Sequence, residues 1–147
     1  MSDDSEGDGS EAAGGTYTLL IERVGDGRIE IGALGSLSFP EGWYAYTGSA
    51  LGPGGFSRVE RHERVAAGDH DARHWHVDYL LGAPDTRIDQ VVRSAGVDIE
   101  CAVAGDLAGS RIREFGSSDC GCDSHLAFHP DRATLLGSVD RAHRTHR

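Results

Sequence analysis

Apolar and polar residues alternate along the first third of the chain, which is the period of a β-strand. Residues 16–22 are rich in β-forming side chains, and 28–31 alternate directly after the tight-turn pair Asp26-Gly27. Tyr44 and Tyr46 flank a small residue, so both phenols are expected on one face of a third strand. Three successive strands joined by short turns predict an antiparallel meander.

The period changes to that of a helix after the glycine-rich segment 51–55, which predicts a helix over 56–67. Its apolar positions fall on one side: Phe56, Val59 and Val65. Arg58 and His62 are four residues apart and share a face, so the pair could hold a phosphate. The alternative is a solvated face on which two glutamates balance the basic residues.

Residues 74–81 fit two local structures. In an extended chain His74, His76 and Asp78 would line one face, whereas in a helix His74 and Asp78 would meet one turn apart. The apolar spacing over 87–93 predicts a further strand.

A second helix is predicted to begin at Asp98 as its capping residue and to run through Leu107, with Glu100 in its first turn. The last strand is predicted over 126–129. The remainder should form a short helix that frays into a tail rich in Arg and His.

These elements indicate one α+β domain with a small antiparallel central sheet flanked by helices. At 147 residues the chain has room for one domain with a substantial core. Residues 1–14 form an acidic tail rich in Gly and Ser, which predicts disorder. The domain itself is placed at 15–130, and 131–147 are interpreted as a C-terminal extension.

The charge balance narrows the choice of partners. Asp and Glu number 24 against 14 basic residues, all of them arginine, and the formal net charge is -10. An acidic excess without lysine is typical of proteins that work in concentrated KCl, where salt screens the repulsion between carboxylates. Such a charge argues against nucleic-acid binding at ordinary salt, although a local arginine cluster can oppose it.

No apolar run is long enough to span a membrane, and the N-terminus lacks the basic and apolar regions of a signal peptide. A cytoplasmic location and no membrane partner are therefore expected, and no protein partner can be inferred. Three cysteines, two of them in a Cys-x-Cys pair, argue against a disulfide framework.

Two triplets carry a resemblance to a known family. Gly15-Thr16-Tyr17 and Tyr46-Thr47-Gly48 look like the two signatures of the GIY-YIG nuclease superfamily. Arg58 and His62 match a basic pair on its first helix, and Glu100 matches its metal-binding glutamate. The chain over 15–130 most resembles the small stand-alone branch called Uri-type endonucleases.

The resemblance implies a three-stranded central sheet and a metal-dependent endonuclease that cuts nucleic acid, DNA more than RNA. It implies one Mg²⁺ or Mn²⁺ ion on Glu100 and a general base supplied by Tyr17 or Tyr46. Arg58 would stabilise the charge that develops on the phosphate, assisted by His62. The expected substrate-binding residues are Gly48, Ser49 and Arg61.

The chain departs from the family pattern in three ways. Threonine occupies the middle of both triplets, at a position expected only to pack. The chain between the two triplets is longer, and the family's asparagine after the glutamate has no assured match. A binding module that keeps the fold and has lost cleavage is therefore an alternative function.

A cysteine- and histidine-rich cluster suggests a third function, a structural zinc module or metal sensor. Its ligands would be Cys120, Cys122 and His125 with His74 or His76. Cys-x-Cys differs from the usual Cys-x-x-Cys knuckle. The local alternative is a turn held by Asp119 and Ser124 with buried thiols.

Overall fold

The computed structural model describes residues 14–52, 54–70, 76–112 and 124–147. Within them lie seven strands: β1 (Gly15–Arg23), β2 (Gly27–Glu30), β3 (Ser36–Phe39), β4 (Gly42–Ser49), β5 (Thr86–Ala95), β6 (Ser110–Arg111) and β7 (Leu126–His129). The same residues include four α-helices: α1 (Ser57–Ala66), α2 (His76–Leu81), α3 (Glu100–Gly105) and α4 (Arg132–His146).

The main sheet has five strands in the order β5-β1-β4-β7-β6, and neighbouring strands are antiparallel. The α+β class is confirmed, but the sheet has five strands where three were expected. The three long strands β5, β1 and β4 form its body, and β7 and the two-residue β6 extend one side. A strand of two residues leaves no periodic signal in a sequence.

The predicted meander is wrong, because β2 pairs with β3 in a separate two-stranded sheet and does not return along β1. Instead β1 pairs with β4 on one side and with β5 on the other. Nearly every residue of β1 is buried, whereas β2 alternates between half-buried and exposed positions. The strands β4 and β5, of 8 and 10 residues, pair along almost the whole of the 9-residue β1, and β2 with 4 residues is too short to do so.

Two apolar cores cover the two faces of the sheet. The first contains Tyr17, Tyr44 and Tyr46 together with apolar residues of α1 and α2, which confirms that Tyr44 and Tyr46 share a face. The second contains Leu20 and Ala45 with residues of α3 and α4. Each core therefore sits between the sheet and one pair of helices.

The C-terminal segment is one helix of 15 residues, not a short helix with a frayed tail. Asp131 caps it by accepting a hydrogen bond from the Thr134 N–H at 2.9 Å. Its buried side chains recur along one face to the end: Leu135, Ser138, Val139, Ala142 and His143. That stripe continues the second core, so residues 131–147 belong to the folded domain.

The other predicted helices differ from the observed helices in where they begin and end. The predicted helix 56–67 is confirmed as α1, and of the two structures open for 74–81 the helix is found from His76 onward. The cap at Asp98 is wrong, because α3 begins at Glu100 after Ile99 and has no side-chain cap. Residues 1–13 of the predicted disordered tail, and His74, lie outside the described residues.

Among the described residues, no helix combines the length and the apolar character needed to cross a bilayer.

Candidate active site

The centre of the site is the phenol of Tyr17, which β1 places in the first core with 1% of its surface exposed. Its hydroxyl lies 2.8 Å from Nε2 of His62, a fully buried residue of α1. Which group donates depends on which imidazole nitrogen carries the proton, so the bond couples a strand phenol to a helix imidazole.

Gly48 makes room for this phenol. The register of β1 and β4 sets Tyr17 directly opposite Gly48, and a Cβ at position 48 would lie 2.6 Å from the Tyr17 hydroxyl. The glycine of the second triplet was expected to let a phosphate approach the backbone. In the structure the space above it holds the phenol, so the glycine of the second triplet accommodates the tyrosine of the first.

Tyr46 lies two residues before Gly48 on the same face of β4. Its ring centroid is 6.5 Å from that of Tyr17, 6.1 Å from His62 and 6.5 Å from His125. Tyr46 therefore lies between the two histidines, and 6% of its surface reaches solvent.

Arg58 and Glu100 act on the Tyr17 phenol from two different helices. Burial raises the pKa of Tyr17 well above its usual value of 10.0, the neighbouring Tyr46 and the charge of Glu100 add to the rise, and Arg58 lowers it by charge and hydrogen bonding. Arg58 also donates from Nη1 to the main-chain oxygen of Ser49. Three of the predicted site residues thus lie near enough to the Tyr17 hydroxyl to change its pKa: Tyr46, Arg58 and Glu100.

Asp78 is a residue of the site that the sequence did not assign to it. It is fully buried on α2, with Oδ1 3.7 Å from Nδ1 of His62 and Oδ2 3.4 Å from Nη2 of Arg61. Burial lowers the pKa of His62 below 6.5, and the nearby Asp78 carboxylate opposes that change. The sequence contained one sign of this role, an acidic residue inside the apolar run of α2.

His125 lies at the same site, beside Glu100. Its Nδ1 lies 3.1 Å from Oε2 of Glu100, and its main-chain oxygen accepts a hydrogen bond from the Thr47 N–H at 3.0 Å. It is 3% exposed, whereas 21% of the Glu100 side chain is exposed. The imidazole therefore orients a carboxylate whose outer side faces solvent.

The Glu100 carboxylate is the kind of ligand that a divalent ion uses. Mg²⁺ commonly uses one or two carboxylates and keeps waters or phosphate oxygens as its other ligands, and Mn²⁺ likewise prefers oxygen ligands. The described residues contain no group of three or more His, Cys, Asp or Glu side chains arranged for a metal. His74, Cys120 and Cys122 of the predicted zinc site lie outside these residues, and His76 opens α2.

Both middle threonines form hydrogen bonds, which corrects the expectation that these positions only pack. Thr16 Oγ1 donates to the Val97 oxygen at 2.9 Å and accepts from the Ile99 N–H at 3.0 Å. This contact ties the start of α3, and hence Glu100, to the residue that precedes Tyr17. An isoleucine at position 16 could not make it.

The opposite face of the sheet carries a second buried polar network. Nε2 of His143 lies 2.8 Å from Thr18 Oγ1, and its Nδ1 lies 2.7 Å from Ser94 Oγ. Thr18 Oγ1 is also 2.9 Å from Thr47 Oγ1. Burial, followed by the charge of Arg147, lowers the pKa of His143 from 6.5 to about 4, so the imidazole is neutral at pH 7.

Fold and site together define a class: a small α+β domain whose antiparallel sheet presents two tyrosines to a helical Arg–His pair and to a glutamate on a later helix. The family model described as Domain of unknown function DUF123 matches residues 16–147. The chain therefore belongs to that family, and the match includes α4. The comparisons with curated proteins and with solved structures found no match.

Proposed function

We propose that the protein is a metal-dependent endonuclease of the GIY-YIG type that hydrolyses phosphodiester bonds, in DNA more readily than in RNA. One observation carries the proposal: the Tyr17 hydroxyl is hydrogen-bonded to His62 while Arg58 and Glu100 act on the same phenol. A base, a cation and a carboxylate around one hydroxyl are the groups that phosphodiester hydrolysis needs.

The raised pKa of Tyr17 decides how the phenol would act. A stable phenolate is disfavoured by burial, so the oxygen takes a proton from water while the phenol proton passes to Nε2 of His62. Nδ1 of His62 faces Asp78, which favours the tautomer with the proton on Nδ1. Asp78 then stabilises the imidazolium formed at the end of the transfer.

Arg58 and Tyr46 would bind and orient the phosphate. The Arg58 guanidinium neutralises charge that develops on the non-bridging oxygens and stabilises the Tyr17 oxygen as its proton leaves. Tyr46 lies beside both histidines and orients a phosphate oxygen by hydrogen bonding. Ser49 contributes its main-chain oxygen to the position of Arg58, and Arg61 stays a predicted substrate contact.

Glu100 would hold the divalent ion, with His125 fixing the direction of its carboxylate. When bound, such an ion stabilises the leaving oxygen as a Lewis acid. Thr16 holds the turn before Glu100 against the sheet and so keeps the carboxylate beside Tyr17.

The test is cleavage of linear and branched DNA in molar KCl with Mg²⁺ or Mn²⁺, for the wild type and for Glu100→Gln. The variant keeps the shape of the side chain and removes its charge, so cleavage should fall by orders of magnitude while folding and binding persist. Glu30→Gln, at an exposed position of β2, makes the same change in net charge and should cleave like the wild type. Wild-type turnover in Glu100→Gln would reject the assignment.

Two observations favour a second candidate, a nucleic-acid-binding module without cleavage. Tyr17 is 1% exposed with a raised pKa, and the sequence contains no asparagine that could match the family's residue after the glutamate. The same experiment separates the candidates. Binding without turnover in either metal would support the module.

A further inference from the structure

A cleft of about 280 Å³ lies beside the candidate active site, at the N-terminal half of α1. Three arginines line it, and we name it the arginine cleft: Arg58, Arg61 and Arg64. Its other walls come from the segment before the helix and from one acidic side chain: Ala50, Gly52, Gly55, Ser57 and Glu60. Arg58 and Arg61 belong to the site already described, whereas Arg64 has no role in it.

Helix geometry produces the cleft. The arginines occur at every third position, which turns each one about 60° from the last, so Arg58 and Arg64 are about 120° apart around the helix and about 9 Å apart along its axis at about 1.5 Å per residue. The two side chains therefore leave the helix at different points along the cleft. The spacing fits two phosphates of one strand, one at Arg58 and the next towards Arg64.

Two of the guanidiniums are held in place by the protein. Arg58 donates to the Ser49 oxygen, and Arg61 lies 3.4 Å from the buried Asp78 carboxylate. Arg64 is exposed, and within the described part of the chain its guanidinium makes no hydrogen bond and no ion pair. The three arginines outnumber the two carboxylates near them, Glu60 and the Asp78 partner of Arg61, so the cleft is locally basic on a chain of formal charge -10.

The main chain at the helix start contributes little to anion binding here. The N–H groups of Ser57, Arg58 and Val59 donate to the oxygens of Gly54, Gly55 and Phe56 in successive turns. Recognition in the cleft therefore depends on guanidinium groups, each of which can donate two parallel hydrogen bonds to phosphate oxygens.

We propose that the arginine cleft binds the backbone phosphate next to the one that is cut, with Arg64 as its contact. The nucleic-acid strand would then run along α1, away from Glu100. The identity of the strand rests on the proposed endonuclease function, but the affinity of the cleft for a phosphate backbone does not depend on cleavage.

The experiment measures binding of a fluorescent DNA oligonucleotide in EDTA, so that no metal-dependent cleavage occurs. Wild type, Arg64→Gln and Arg141→Gln are compared over a series of KCl concentrations at which circular dichroism shows the fold intact. Arg141 is an exposed arginine of α4, on the opposite face of the sheet, and its replacement changes the net charge equally. Single-turnover cleavage at saturating enzyme is measured in parallel.

The slope of log K against log salt is negative. Loss of one phosphate contact reduces its magnitude by about 0.7 for single strands and about 0.9 for duplex DNA. We expect that change in Arg64→Gln, with unchanged slope in Arg141→Gln and an unchanged saturated cleavage rate. Equal slopes for wild type and Arg64→Gln, equal losses in both variants, or no binding by the wild type would each overturn the cleft proposal. The expected slopes without any wild-type cleavage would reject the endonuclease and retain the cleft.

Discussion

The Tyr17 and Tyr46 phenols lie on adjacent strands, and the proposed function gives them different roles. Tyr17, the proposed general base, has its hydroxyl 2.8 Å from Nε2 of His62, and the ring centroid of Tyr46 is 6.1 Å from that of His62. Removal of a general base costs about a hundredfold in rate or more, and loss of one neutral hydrogen bond costs about 1 kcal/mol. We therefore expect Tyr17→Phe to slow the chemical step more than Tyr46→Phe.

Single-turnover rates across pH measure this difference. Burial lowers the pKa of His62, so wild-type cleavage should fall only when the pH drops below the usual histidine value of about 6.5. Tyr17→Phe should lose that acidic limb, while Tyr46→Phe should retain it. Greater damage in Tyr46→Phe would exchange the two roles, and a loss of only a few-fold in both would leave the tyrosines as positioning groups.

Gly48 should tolerate no side chain, because a Cβ there would lie 2.6 Å from the Tyr17 hydroxyl. Overpacking of this kind costs about 1–3 kcal/mol, so Gly48→Ala should lower the free energy of unfolding by that amount and displace the phenol. Gly105→Ala is the matched control, since a Cβ at that helical position meets nothing within 4 Å. Urea unfolding curves of both variants decide the point, and equal midpoints would contradict it.

The family resemblance selected Tyr17, Tyr46, Arg58 and Glu100 as site residues. In the structure the Tyr46, Arg58 and Glu100 side chains lie near enough to the Tyr17 hydroxyl to shift its pKa, and the roles of all four stay predictions. Asp78 was missed because its segment fitted a strand or a helix, and only the packing of α2 on α1 brings it to His62. Such contacts depend on the angle between helices, which periodicity does not contain.

At the scale of elements, α4 was the largest difference between expectation and structure. Its sequence looked like a frayed Arg/His tail because His143 is polar, yet that residue is 1% exposed and hydrogen-bonded to the sheet. The position of β1 between β4 and β5 was equally hidden, because these pairings join segments that are far apart in the sequence. Local periodicity identified most elements, and tertiary contacts decided how they pair.

The docking of α4 should weaken in acid. The pKa of His143 is about 4 in the folded protein and about 6.5 in an unfolded chain, so the unfolded state binds more protons between these values. The contribution of His143 to the free energy of unfolding should therefore be fully present above pH 6.5 and should fall as the pH drops towards 4. At about 1.4 kcal/mol per unit of pKa, the loss is on the order of 3 kcal/mol.

Chemical unfolding as a function of pH tests this with His143→Gln, which cannot be protonated. The variant should be less stable at pH 7 and should show a smaller loss between pH 6.5 and 4 than the wild type. His146→Gln serves as the control, because His146 lies on the same helix and pairs with Asp106 at the surface. An unchanged pH dependence in His143→Gln would contradict the assignment.

For the whole molecule, the acidic surface predicts stability that depends on salt. With 24 acidic residues against 14 arginines, repulsion between carboxylates increases as screening is removed. The thermal midpoint should fall steadily as KCl is lowered from molar concentrations. A midpoint independent of KCl would reject the high-salt interpretation and leave the absence of lysine as a property of the coding sequence.

The bond between Thr18 and His143 also orders the assembly of the chain in time. These two residues are 125 positions apart, and the hydroxyl and imidazole that they bury satisfy each other. On a ribosome, β1 emerges early but cannot complete its hydrogen bonds until residue 143 has left the exit tunnel. Until then β1 and its threonines remain a partly open surface, so a segment synthesised early in the chain reaches its final structure late.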